Sequence, residues 1–80
     1  MIVNFVETVK DGWIFRGKNG FLKISCDWFR SKMMAPPDVV GTRILSWEIK
    51  DSYVKLNTSR GAIFCVFWGA EKVRVERGRT

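Results

Sequence analysis

The chain has 80 residues and carries a net charge of +6, with fourteen Lys or Arg against eight Asp or Glu and no histidine. That length holds a single domain, residues 1–80, with a thin core, and 46% hydrophobic with 28% charged residues describes a folded chain rather than a disordered one. The missing imidazole excludes Ser-His-Asp and Cys-His catalysis and every zinc site that needs histidine.

The first strand is expected over residues 2–9, where β-branched and aromatic types dominate. Lys10-Asp11-Gly12 is a turn, and Trp13 to Gly17 with Phe21 to Cys26 form a hairpin about Asn19-Gly20, a sequence suited to a type I′ turn. That hairpin puts Trp13, Phe15, Leu22, Ile24 and Cys26 on a core face. Ile14, Arg16, Lys18, Phe21, Lys23 and Ser25 fall on the other. Residues 28–34, led by Asp27 as a cap, read as a short helical turn or as more strand. Ala35-Pro36-Pro37-Asp38 ends whatever precedes it, because each proline removes a donor.

The pattern resumes at Gly41. Residues 43–50 alternate, with Leu45, Trp47 and Ile49 sharing a face. Asp51-Ser52 turns into residues 53–58, where Val54 and Leu56 point inward. A three-residue loop with Gly61 in the left-handed region is expected next, and a two-residue Arg60-Gly61 turn would swap the faces of the following strand. That strand, Ala62 to Trp68, is apolar on both faces. It is either covered twice or presents an interface. Residues 71–76 alternate valine with charge as a last edge strand, and residues 77–80 form a frayed tail.

The expected fold is therefore all-β: six or seven short antiparallel strands in two meanders, forming a small barrel or sandwich. The meanders occupy residues 1–40 and 41–80, joined by the Pro-Pro linker. A 40-residue shift aligns Val9-Lys10-Asp11-Gly12-Trp13-Ile14 with Ile49-Lys50-Asp51-Ser52-Tyr53-Val54, the pattern of a repeat. Cys26 and Cys65 form no CxxC and read as buried reduced thiols, a disulfide being the alternative. No apolar run nears the roughly 18 residues of a membrane span, and no basic-then-apolar leader opens the chain. A cytoplasmic protein with no membrane partner is expected.

The positive excess is concentrated. Residues 13–32 hold five basic side chains against one acid. Arg16, Lys18, Phe21 and Lys23 on the hairpin's outward side, joined by Arg74, Arg77 and Arg79, suggest a nucleic-acid-binding sheet that grips phosphates and stacks bases. The same charges would also serve as a plain solvated face. The alternative function is a protein-interaction module (adaptor, inhibitor or self-associating subunit) anchored by Trp28, Phe64, Phe67 and Trp68. The acids show no recognisable general acid–base pair. Gly17-Lys18-Asn19-Gly20 lacks the spacing and helix of a phosphate loop. No enzyme activity, metal or small-molecule cofactor is expected.

Overall fold

The computed structural model describes residues 1–79, and among them the fold is eight strands in two antiparallel sheets. In chain order these are β1 (Phe5–Val9), β2 (Gly12–Arg16), β3 (Gly20–Ser25), β4 (Ser31–Lys32), β5 (Ile44–Ile49), β6 (Tyr53–Thr58), β7 (Gly61–Trp68) and β8 (Arg74–Arg79). One sheet has the order β1-β2-β3-β8 and the other β4-β7-β6-β5. Each meander thus receives its fourth strand from the other half of the chain. The sheets face one another as an open sandwich, with Trp13 of β2 and Phe67 of β7 meeting at a centroid distance of 5.0 Å. Residues 1–3 cross between the sheets: Ile2 bridges Arg43, and Val3 N–H donates to Thr42 O at 3.0 Å. No helix among the described residues is long and apolar enough to cross a membrane.

The first hairpin closes two residues away from the expected register. Gly17 N–H donates to Gly20 O at 2.9 Å, leaving Lys18 and Asn19 in the turn, neither with a positive φ. Phe15 therefore faces Leu22, and Trp13 faces Ile24. A slip of two preserves side-chain parity, so Trp13, Phe15, Leu22, Ile24 and Cys26 are all buried as expected.

The second hairpin has Ser59 and Arg60 in its turn, with Thr58 paired to Gly61 rather than a three-residue loop. Gly61 does take a positive φ, +109°. Thr58 Oγ1 accepts from Arg60 N–H and donates to Gly61 O, which locks the turn. This register points Cys65 and Phe67 inward and leaves Phe64 and Trp68 half-exposed.

Of the two alternatives for residues 28–34, the structure takes the strand and not the helical turn, and two other expectations fail locally. Arg30 and Met33 donate to Trp68 O and Val66 O on the edge of β7, so their amides complete a sheet instead of a helix. The helical turn among the described residues is a 3-10 turn at Pro37–Val39. The last strand starts at Arg74 rather than Glu71, and Arg77–Arg79 pair with Leu22, Phe21 and Gly20 instead of fraying; Thr80 lies outside the described residues. In β5 a bulge between Ile44 and Ser46 turns Leu45 outward, out of line with Trp47 and Ile49.

Both cysteines are buried and free. Burial pushes the Cys65 thiol up to about 12, and Cys26 Sγ lies within hydrogen-bond distance of both Trp28 O and Lys72 O, so its one S–H, shared between them, ties the β3–β4 connection to the β7–β8 connection.

Lys32 is a structural residue that sequence did not mark. Its Nζ donates to Val9 O and Gly12 O at the β1–β2 turn and sits 5.4 Å from the Trp13 ring centroid. Burial lowers its pKa, with Asp11 acting in the opposite direction. Hydrogen bonds from a charged donor contribute about 1.5–3 kcal/mol, so Lys32→Ala should lower the urea-unfolding free energy by that amount. Exposed Lys10→Ala should change it by under about 0.5 kcal/mol. Equal effects would contradict this clamp.

Candidate nucleic-acid interface

The register separates the basic and aromatic candidates into two groups. Arg16, Phe21, Lys23 and Arg74 share the outward face of the first sheet, as alternation requires. That face is charge-balanced. Arg16 Nη2 lies 2.8 Å from Glu7 Oε1, Lys23 Nζ 3.6 Å from Asp11 Oδ2, and Arg74 contacts Asp27 at 2.7 Å and Glu76 at 3.6 Å. The Arg74 hydrogen bond, then its charge, holds the Asp27 carboxyl below the ordinary carboxylate range. Such exposed pairs add little stability, but they leave little net field on that face to attract phosphate.

Arg77 belongs to the opposite face, because it pairs with inward-facing Leu22. It reaches across the seam between β8 and β5, where its guanidinium lies 5.8 Å from the Trp47 ring centroid. Beneath this contact opens a cavity of about 670 Å³. Its apolar walls are Leu22, Ile44, Leu45 and Trp47, and its rim includes Asn4, Lys18, Asn19 and Arg77. Phe21 also lines it, with its ring lying across Gly78 of β8. No carboxylate of the described residues lines the cavity.

Strand direction explains the charge around this opening. In a meander successive turns alternate between ends. One end gathers the Lys18-Asn19 turn, Arg43 before β5, the Ser59-Arg60 turn and the C-terminal part of β8 with Arg77 and Arg79. Ser59 N–H donates to Arg43 O, which fixes two of these segments together. The other end mixes Lys10, Arg30, Lys32, Lys50, Lys72 and Arg74 with Asp11, Asp27, Asp51 and Glu71. Asp38, on the 3-10 turn, does not line the cavity. The +6 charge is therefore polarised along the strands.

The apolar candidates divide as well. Phe67 is fully buried against Trp13 and Phe29, which removes it as a binding anchor. Phe64 and Trp68 are half-exposed on the outward face of the second sheet, and Trp28 stands 70% exposed in the β3–β4 connection. Trp47, expected in the core, packs one side against it and gives the other to the cavity. Arg43, Arg60 and Trp47 are the residues that sequence reading did not select for this end.

No protein-family model, curated protein or solved structure matches this chain. Among the described residues no group of three or more Cys, Asp or Glu side chains is placed to hold a metal ion.

Proposed function

We propose that this chain is a non-enzymatic module that binds single-stranded nucleic acid at its cationic end. The observation carrying the reading is the cavity that combines apolar walls and a Trp ring with a basic rim free of carboxylates. Its volume suits a ligand of nucleotide size. A base enters against Trp47, and the flanking phosphates lie along Lys18, Arg43, Arg60, Arg77 and Arg79. A duplex keeps its bases stacked inside and cannot use such a cleft, so single strands are preferred.

Anisotropy titration of a labelled single-stranded oligonucleotide tests this assignment. Loss of one stacking partner costs about 1–3 kcal/mol, so Trp47→Ala should weaken binding roughly 5- to 150-fold. Lys18→Ala combined with Arg77→Ala should weaken it more than about tenfold, while Arg16→Ala and Lys23→Ala should leave it within about twofold. If the outward-face substitutions cost as much as those at the cleft, the site is misplaced. If the intact chain shows no binding at low salt, the reading fails.

A further inference from the structure

We propose that the cleft selects guanine and that Arg77 is the residue that reads it; this rests on the cleft being the nucleic-acid site. The Arg77 guanidinium lies 5.8 Å from the Trp47 ring centroid. That separation exceeds a stacking contact of about 3.5–4 Å, so the ring stays available to a base. A base laid on Trp47 then meets the guanidinium at its edge. A guanidinium is a rigid fork of donors with no acceptor, and two of its N–H groups bind two adjacent acceptors together.

The bases differ in what they offer such a fork. Guanine carries O6 and N7 side by side, both acceptors. Adenine has an amino donor where guanine has O6, and that donor opposes the fork. Thymine and uracil hold their two carbonyls apart with an N3–H between them. Cytosine pairs N3 with O2 but lays one ring rather than two on Trp47. The rest of the lining favours the same edge of guanine. Its other edge shows the N1–H and N2–H donors, which a carboxylate would accept, and no carboxylate of the described residues lines the cavity. The apolar walls, Leu22, Ile44 and Leu45, lower the local dielectric and strengthen hydrogen bonds made beside them. The guanidinium has five donors, so those not used on the base remain for a flanking phosphate.

Single strands that are abasic except at one central nucleotide test this selection by anisotropy titration of the full chain. Guanine should bind roughly 5- to 150-fold tighter than adenine or thymine. The 7-deaza analogue of guanine, with C–H in place of N7, should lose most of that advantage. The ratio of guanine to thymine affinity should hold across a salt series, because both strands neutralise the same phosphates. Arg77→Lys keeps the charge and loses the fork, so it should bring guanine to within about twofold of thymine, whatever it does to overall affinity. Equal affinity for the four bases, with binding still lost on Trp47→Ala, would overturn the guanine selection and leave the nucleic-acid reading standing. Tighter binding of cytosine, or a guanine preference that survives Arg77→Lys or the 7-deaza substitution, would overturn it too. No binding by any strand at low salt would remove both.

Discussion

Replacing Phe67 with alanine should cost about 3–5 kcal/mol of folding stability. The ring is fully buried and sits between Trp13 and Phe29, each at 5.0 Å, so it joins the first sheet, the second sheet and the β3–β4 connection. Truncation removes apolar burial and leaves a cavity that three rigid elements cannot close. A domain of this length has about 4–12 kcal/mol in total, so the variant should lose about a quarter or more of its urea resistance, or fail to fold. Phe64→Ala, three residues away on the other face, should change stability by less than about 1 kcal/mol. The contrast tests the β6–β7 register itself, since a slip of one residue would exchange the two outcomes. Equal unfolding midpoints for Phe64→Ala and Phe67→Ala would refute the register described here.

Gly12→Ala should be comparably damaging for a different reason. An added Cβ would stand 1.8 Å from Ile24 O, 2.8 Å from Ile24 C and 2.9 Å from Ser25 Cα. All three are backbone atoms, so no side chain can swing away to make room. Either β2 separates from β3 or the pair distorts. Overpacking in a core usually costs about 1–3 kcal/mol, and backbone obstruction places this case at or above the upper limit. Gly12 O also accepts from Lys32 Nζ, so a shifted β2 weakens that clamp too. Urea unfolding followed by tryptophan fluorescence would measure the loss. A variant with the parental midpoint would mean that the strands do not approach so closely.

What sequence made legible was mostly side-chain parity. Alternation in residues 13–26 picked out the buried apolar residues correctly, even though the turn closed at Gly17 and Gly20 rather than around Asn19-Gly20, but it put Ser25 on the outward side, and Ser25 is fully buried. The exchange of β4 and β8 between the meanders was not legible. Alternating Val and charge in residues 73–76 marks a strand but carries no information about its partner. Gly12 was read as a turn residue, yet it begins β2, and its smallness serves the close passage of β3. The bulge that turns Leu45 outward left no mark either, because Leu45 fits the alternation of a regular strand.

The candidate site was half legible. Sequence located the basic residues but placed them on one sheet face. The ion pairs that neutralise Arg16, Lys23 and Arg74 depend on cross-strand and loop neighbours known only after register is fixed. One signal was available. Because turns of a meander alternate between ends, Asp11 and Asp51 fall at one end while Lys18 and Arg60 fall at the other. Alternation marks a cationic end within each meander, and the Ile2–Arg43 bridge of the structure brings the two ends together. Alternation does not find the cavity, which needs Trp47 and Arg77 to meet across the seam.

The central claim is that this cationic end neutralises nucleic-acid phosphates. Its most direct test is the affinity of the intact chain for a single-stranded oligonucleotide across a salt series. Each neutralised phosphate of a single strand contributes a slope of about −0.7 in log K against log salt, so three to five contacts from the five cations of this end predict roughly −2 to −3.5. A slope near zero, or no binding at the lowest salt, would contradict the account.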